Sequence, residues 1–326
     1  MPEPSQATLI NYNNGIYCID AQYVRPNLAA IHMLVEGQKA CFIDTGTTFS
    51  LPNALAALDK TELAPADVEF VILTHVHLDH AGGAAAMMEA FPQAKLLVHH
   101  RGSRHMADPS KLVAGVIQVY GSEYVAQMYG EIKPIDPRRI TAVNDGDSVR
   151  LNGTRELRFL DTAGHARHHI CIHDQHTGSM FTGDMCGLSY KESQVNGKPF
   201  AFPTTTPNQF DPDAMLASLE RIAGLHPSAL YLTHFGQIDC PEFYLNELTK
   251  RLTDLVSLSR QEANLGQDEL SSRLQQSQTA YLLAELAQHG CLLDEEQLLD
   301  IWGGDVSLNV QGIMIWLESQ HLVKTQ

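Results

Sequence analysis

The residues Thr74-His75-Val76-His77-Leu78-Asp79-His80 bring three imidazoles and one carboxylate into six consecutive positions, 75–80. The preceding residues 68–73 are mostly apolar and β-branched, which predicts a buried strand, and residues 81–88 predict a turn that leads into a helix. The four side chains are therefore expected on a strand-to-helix loop. Neutral imidazole and carboxylate suit divalent zinc, iron or manganese, and a cation offsets the cost of crowding such groups together. The motif predicts a metal site.

The spacing inside this motif favours two metals over one. His75 and His77 stand two positions apart, and Asp79 and His80 follow after one further residue, so the two pairs can point in different directions from the chain. Two metals need more than four ligands. Three other predicted strands end in a residue of the ligand type: residues 157–165 end in His165, residues 178–184 in Asp184 and residues 229–234 in His234.

The order of these motifs resembles that of the metallo-β-lactamase superfamily, over about residues 8–240. The shared order is His-x-His-x-Asp-His, then Gly-His, then Gly-Asp, then a strand-terminal His, and the glyoxalase II-like and quinolone-response thioesterase-like branch is the nearest in spacing. The complete set is a more specific signal than any one motif. The resemblance implies that His75, His77 and His165 hold one metal, that Asp79, His80 and His234 hold the second, and that Asp184 bridges them.

Two further segments resemble superfamily motifs. Residues 42–46 read Phe-Ile-Asp-Thr-Gly, which suggests Asp44 as an outer residue that orients the ligand loop; a simple turn aspartate is the alternative. The family's Gly-His-Thr-x-Gly-His turn appears as residues 164–169, with Ala166 for Thr and His168 for the second Gly. His169 then matches a histidine that is more often structural than a ligand. His168 could face the site or solvent.

The chemistry implied by the resemblance is hydrolysis at a binuclear metal centre. A hydroxide that bridges the two metals would attack an acyl bond of a small molecule, in a thioester, ester or lactone. Asp79, a ligand with a second carboxylate oxygen, is the candidate catalytic residue that orients the hydroxide and accepts its proton. Two divalent ions per chain are expected, with zinc first and iron or manganese as alternatives, because His and Asp ligands accept all three.

The resemblance implies an α/β fold, a four-layer αββα metallo-β-lactamase sandwich with the metals at one edge, for a catalytic domain of residues 1–240. In residues 241–326 leucines recur at helical spacing, which predicts a series of helices. Separate helices are expected at 295–302 and 308–317. This C-terminal α-helical extension is expected to supply packing or a homodimer surface, and it could also cover the metal cleft. Residues 187–210, which include Tyr190, are expected to form a substrate loop.

Charge and hydropathy limit the other function classes. A formal net charge of −16 argues against a general binder of nucleic acid, which would be expected to carry a basic face. No apolar run reaches the length of a membrane span, and residues 1–6 lack the order of a signal peptide, so a cytoplasmic protein is expected. The alternatives to an acyl hydrolase are a regulatory or binding protein that retains the metal site and a di-iron redox protein.

Overall fold

The computed structural model describes residues 8–205, 207 and 209–320, so the N-terminal residues 1–6 considered above lie outside the described part. The described residues fall into two compact units. The first contains residues 8–161, 168–183 and 227–239, and the second contains the described residues of 162–167, 184–226 and 240–320. The predicted domain boundary after residue 240 stays a prediction.

The first unit contains two β-sheets. In the seven-stranded sheet the strands follow chain order; β1 to β4 pair antiparallel and β4 to β7 pair parallel. β3 and β4 form the predicted hairpin, in which Glu36 lies opposite Lys39. The strands are β1 Leu9–Asn11, β2 Ile16–Asp20, β3 Ala30–Glu36, β4 Lys39–Ile43, β5 Val68–Ile72, β6 Lys95–His99 and β7 Ile140–Val143.

The second sheet of this unit has six strands in the spatial order β13-β12-β11-β10-β9-β8. Neighbouring strands in this sheet pair antiparallel, except β11 and β12, which pair parallel. A parallel pair needs a long crossover, and the chain between these two strands contains the first helix of the second unit. The strands are β8 Ser148–Leu151, β9 Arg155–Asp161, β10 Ile170–Asp174, β11 Ser179–Gly183, β12 Leu230–Leu232 and β13 Gly236–Ile238.

Side-chain alternation along the strands separates two apolar layers. In β4, Cys41 and Ile43 join an inner cluster that contains Phe159 and Phe181 from the second sheet. Phe42 points to the opposite face and joins the cluster formed with the helices. Both faces of the seven-stranded sheet are therefore buried. The helices of this unit are α1 Leu51–Lys60, α2 Leu78–Ala81, α3 Ala84–Ala90, α4 Ser103–Ala107, α5 Ser110–Tyr120 and α6 Ser122–Tyr129.

The second unit consists mainly of helices: α7 Pro212–Gly224, α8 Pro241–Glu262, α9 Gln267–His289 and α10 Glu295–Ser319. Leu248, Leu252 and Leu255 on α8 are fully buried, as their spacing of three and four residues predicts. Asp294 caps α10 and forms a capping box with Gln297. In the part of the chain that the structure describes, no helix has both the length and the apolarity needed to cross a membrane.

The prediction of two separate helices at residues 295–302 and 308–317 is wrong, because α10 runs without a break from Glu295 to Ser319. Gly303 and Gly304 suggest a break, since glycine disfavours a helix by about 1 kcal/mol relative to alanine. Trp302 and Val306, however, flank the glycines and are both fully buried. Burial of these two side chains outweighs the local preference, so the helix continues.

Candidate metal centre

The ligand motif lies directly after β5, as its position behind an apolar run predicts. His75 precedes His77, which has an extended backbone and caps α2. The prediction that all four ligand residues lie on a loop is wrong for Asp79 and His80, which belong to the single turn of α2. Residues 78–81 contain no glycine, proline or β-branched residue, so nothing in the local sequence opposes the turn.

Asp79, His80 and His234 form one group of ligand-type side chains in the first unit. One ligand atom from each lies within 4.8 Å of the others. Oδ2 of Asp79 is 3.5 Å from Nε2 of His80 and 3.4 Å from Nε2 of His234. His80 is fully buried, whereas 23% of the Asp79 side chain is exposed. The carboxylate is therefore the accessible member of the group.

In both histidines of this group, the ring nitrogen Nδ1, which faces away from Asp79, hydrogen-bonds to a fixed oxygen acceptor. Nδ1 of His80 lies 2.8 Å from Oδ2 of Asp44, and Nδ1 of His234 lies 2.6 Å from the carbonyl oxygen of Leu28. An acceptor at Nδ1 places the proton there and leaves the lone pair on Nε2, which is the form of imidazole that binds a metal. The three side chains of this group thus suit a divalent cation by their residue types and by the unprotonated Nε2 atoms of the two imidazoles.

Asp44 is a buried carboxylate at which three segments of the chain meet. Besides its bond with His80, it accepts hydrogen bonds from the backbone N–H and the hydroxyl of Thr74 and from the hydroxyl of Thr233. Its backbone has a φ of 57°. The carboxylate contacts the residues that precede His75 and His234, a geometry that suits an outer residue better than a simple turn aspartate.

His75 and His77 form a close pair on the same segment. Nε2 of His75 lies 2.9 Å from Nδ1 of His77, and Nδ1 of His75 lies 3.1 Å from the hydroxyl of Thr74. His75 is fully buried. Two imidazole nitrogens at this distance share one proton or bind a common cation.

In the second unit, His165 and Asp184 face each other. Nε2 of His165 lies 3.4 Å from Oδ2 of Asp184, and its Nδ1 lies 3.5 Å from the carbonyl oxygen of Thr204. His165 thus follows the arrangement of His80 and His234, with Nδ1 at an oxygen acceptor and Nε2 at a carboxylate. In the first unit, Asp79, His80 and His234 form a group that could hold a metal ion; the other predicted ligands lie as the pair His75 and His77 in the first unit and the pair His165 and Asp184 in the second.

Comparison with known proteins identifies the family. The family model described as the metallo-beta-lactamase superfamily matches residues 30–234. The chain belongs to this superfamily. The predicted resemblance and the predicted αββα sandwich are thereby confirmed.

Three relatives show where in the superfamily the similarity lies. ST1585 of Sulfurisphaera tokodaii, a metallo-beta-lactamase fold-containing protein, is 28% identical over 229 residues, which cover 69% of this chain and 79% of that protein. Its crystal structure matches 74% of this chain and 86% of its own, with a TM-score of 0.59 and 26% identity.

The other two relatives carry the names of hydrolases. The acyl-coenzyme A thioesterase MBLAC2 of Gallus gallus is 30% identical over 196 residues, 58% of this chain and 68% of that protein. The hydroxyacylglutathione hydrolase of Polaromonas sp. is 33% identical over 116 residues, 35% of this chain and 32% of that protein. These similarities support a metal-dependent hydrolase at the level of the superfamily.

The two remaining candidate residues, His169 and Tyr190, are both buried. The ring centroid of His169 lies 5.0 Å from that of His75, and a Cβ on Gly183 would come within 2.7 Å of its Nε2, so His169 is packed among backbone and ligand residues. The hydroxyl of Tyr190 donates to Asp305 at 3.2 Å, and its ring lies 4.5 Å from that of Trp302. Their roles beside the substrate or the ligands stay predictions.

Two tyrosines that no superfamily motif singles out lie beside the ligand helix α2. The hydroxyls of Tyr23 and Tyr129 are 2.9 Å apart, and both rings pack in a cluster with Leu78. Burial, and after it the charge of Asp79, raises the pKa of Tyr23 far above its ordinary value. No local pattern could reveal this pair, because its members are 106 positions apart in the chain.

Proposed function

We propose that the protein is a binuclear metal-dependent hydrolase that cleaves an acyl bond of a small molecule. A thioester is the first candidate substrate, and an ester or a lactone is the alternative. The observation that carries the proposal is the orientation of His80 and His234, which both place Nδ1 on a fixed acceptor and turn Nε2 toward Asp79. This is the arrangement by which proteins prepare imidazoles for a metal. The similarity to an acyl-coenzyme A thioesterase supports the choice of an acyl bond.

The proposed ligand sets are those that the superfamily resemblance implies. The nitrogen and oxygen donors suit zinc first, with iron and manganese as alternatives. Two such cations, when bound, lower the pKa of a water molecule and polarise the acyl oxygen. We assign one cation to His75, His77 and His165 and the second to Asp79, His80 and His234, with Asp184 between them. The group of Asp79, His80 and His234 in the first unit supports the second set.

Asp79 is proposed as the catalytic base. Its carboxylate is partly exposed, whereas the imidazoles that it faces are buried, so it is the member of its group that water and substrate can reach. A carboxylate that ligates through one oxygen can orient water through the other and accept a proton. Asp44 is proposed as a positioning residue, because it is fully buried and contacts His80.

The remaining expectations are proposals of the same kind. We also propose a small-molecule substrate, a cytoplasmic location and a homodimer through the C-terminal helices α8, α9 and α10. Size-exclusion chromatography with light scattering would decide the oligomeric state.

The experiment that tests the proposed function is a hydrolysis panel. The zinc-loaded protein is offered acyl thioesters, lactones and phosphodiesters, with Asp184→Ala as the blank and Asp213→Ala, an exposed aspartate on α7, as the matched control. We expect fast cleavage of one acyl class that Asp184→Ala abolishes and Asp213→Ala retains. Silence toward every acyl substrate would refute the proposal, and iron-dependent oxygen uptake would replace it with a redox function.

A further inference from the structure

The first unit exposes a small set of large apolar side chains, and all of them border one cluster. Among the described residues of this unit, the set consists of Val24, Phe49, Tyr124 and Ile117, which are 61%, 59%, 41% and 36% exposed. Apolar residues scattered singly over a surface need no explanation, whereas a group of them marks a binding surface. The positions of these four residues are therefore informative.

The cluster that they border is built around Leu78 of the ligand helix α2. Leu78, Val125 and Tyr129 are its buried members, and Tyr23 and partly buried residues of α5 and α6 pack against them. The hydroxyls of Tyr23 and Tyr129 lie 2.9 Å apart and hydrogen-bond to each other. Through this cluster, α5 and α6 are packed onto the helix that contains Asp79.

Each exposed side chain adjoins a member of the cluster. Three of them are sequence neighbours of cluster members: Val24 of Tyr23, Ile117 of Val116 and Tyr124 of Val125. The fourth, Phe49, lies beside Gly130, which follows Tyr129, because a Cβ built on Gly130 would come within 3.4 Å of the Phe49 ring. Together with Tyr23, the four exposed side chains make up an apolar surface at the edge of the cluster.

Helices α5 and α6 carry few charges for helices at the surface of a protein. Lys111 is the one charged residue in the sequence of α5, and Glu123 is the one in α6. Ala114 and Gly115 of α5 are exposed, as is Ile117. A surface helix normally carries charged and polar residues on the face away from the core. The exterior of these helices thus suits an apolar ligand better than it suits water.

We propose that the apolar surface binds the hydrocarbon chain of the acyl substrate, so that the preferred substrate is a thioester with a long alkyl chain. This inference rests on the proposed acyl hydrolysis and names its substrate class. Leu78 directly precedes Asp79, whose carboxylate is partly exposed, so the chain of an acyl group held at Asp79 has the apolar surface beside it. This continuity with the proposed catalytic base favours a substrate chain over a second copy of the protein.

The electrostatics of Tyr23 support the same placement. The pKa of Tyr23 is raised by burial first and by the charge of Asp79 second, so the carboxylate lies near the ring. The apolar surface therefore begins at the proposed catalytic base.

The first test is a series of thioesters from butanoyl to dodecanoyl, all with the same thiol, offered to the zinc-loaded protein below micelle-forming concentrations. Full burial of one CH₂ group is worth about 4-fold in binding, and an open surface covers one side of the chain, so we expect about 2-fold for each CH₂. From butanoyl to dodecanoyl, kcat/KM should rise on the order of 100-fold, mainly through a lower KM. Equal kcat/KM for all chain lengths would overturn the inference and leave the proposed function intact.

The second test places a charge on the apolar surface. Ile117→Glu and Tyr124→Glu should each lower kcat/KM for the dodecanoyl thioester about 10-fold, because the chain would desolvate the new carboxylate. The butanoyl thioester should be cleaved at the wild-type rate. Ile117→Leu should keep the wild-type chain preference. Leu292→Glu is the matched control, since Leu292 is 98% exposed and belongs to the second unit.

A binding measurement separates this role from a structural one. Calorimetric titration with 1-decanol needs no turnover, and Ile117→Glu should bind it about 10-fold more weakly than the wild-type protein and Leu292→Glu do. An equal rate loss with short and long thioesters, or an unchanged chain preference in both glutamate variants, would overturn the inference. Dissociation of a dimer by Ile117→Glu with the chain preference unchanged would assign the surface to a second copy instead. Failure to cleave any acyl substrate would refute the proposed function, whereas the decanol titration would still report on the surface.

Discussion

Oδ2 of Asp79 lies 3.4 Å from Nε2 of His234, although the two residues follow strands of different sheets. Asp79 lies in α2 behind β5, and His234 lies behind β12. The group that they form with His80 therefore depends on the way in which the two sheets of the first unit pack.

Replacement of His234 should remove one cation and leave the other. We expect His234→Ala to reduce the zinc content from two ions per chain to one, because the cation proposed for Asp79, His80 and His234 loses a ligand. Inductively coupled plasma mass spectrometry after dialysis measures the content. His100→Ala, at an exposed histidine behind β6, is the control and should retain both ions. Two ions in His234→Ala would contradict the assignment of this ligand.

Asp44→Asn should weaken metal binding although Asp44 is not proposed as a ligand. The amide can no longer accept from all of its partners, so His80 loses its fixed orientation. Loss of such an outer partner typically lowers metal affinity by about 10- to 100-fold. Competition with a chelator gives the affinity. Asp20→Asn is the control, because Asp20 accepts only local bonds, from Gln22 and Asn27, in the hydrogen bonds that the structure describes; an equal effect there would show that the loss is general.

Arg155→Met should destabilise the first unit strongly. The guanidinium of Arg155 binds Asp174 with two bonds of 3.1 and 2.6 Å, and both residues are fully buried. Removal of one partner leaves a buried charge uncompensated, at a cost of about 3–5 kcal/mol in the free energy of unfolding. Urea denaturation measures it. Arg138→Met, which breaks the exposed pair with Asp136, should leave the midpoint unchanged.

His32 should make the stability of the protein sensitive to acid. Burial lowers the pKa of His32 to about 4, and its ring packs against Phe181 and Tyr231. The unfolded chain, with a pKa near the ordinary 6.5, then binds the proton more readily, so the stability is complete above about pH 6.5 and falls as the pH drops toward 4. Between pH 7 and pH 5 the loss from this residue is roughly 2 kcal/mol.

Urea midpoints at these two pH values measure the effect. His32→Phe keeps the ring packing without a titratable group, so its midpoint should fall less than that of the wild-type protein. An equal fall in both proteins would show that other groups control the acid sensitivity.

The sequence alone locates the ends of the strands that deliver the candidate ligands. Apolar runs define β5 and β12, and the first ligand residue comes two or three positions after each strand ends, so local spacing carries this information. Spacing does not predict that Asp79 and His80 lie on a helical turn, because a single turn is set by a few backbone bonds and by the packing of Leu78. It also suggests a break at Gly303 and Gly304 that the burial of neighbouring side chains overrides.

Contacts between distant positions account for most of what the sequence does not predict. The hydroxyl pair of Tyr23 and Tyr129 and the partners of Asp44 join segments that are far apart in the chain. Such contacts depend on the three-dimensional arrangement of several elements, and no local periodicity records them. His168 shows the converse case, since its departure from the turn pattern is visible in the sequence while its enclosed nitrogen is not.

The convergence of Thr74, His80 and Thr233 on one carboxylate bears on protein engineering. The histidine motif can be copied as a short peptide, but the acceptor that sets the tautomer of His80 directly follows β4, and Thr233 directly follows β12 of the second sheet. A graft of residues 74–80 into another scaffold would therefore contain the donor atoms but lack the hydrogen bonds that orient them. The smallest portable form of the group of Asp79, His80 and His234 is a pair of packed sheets.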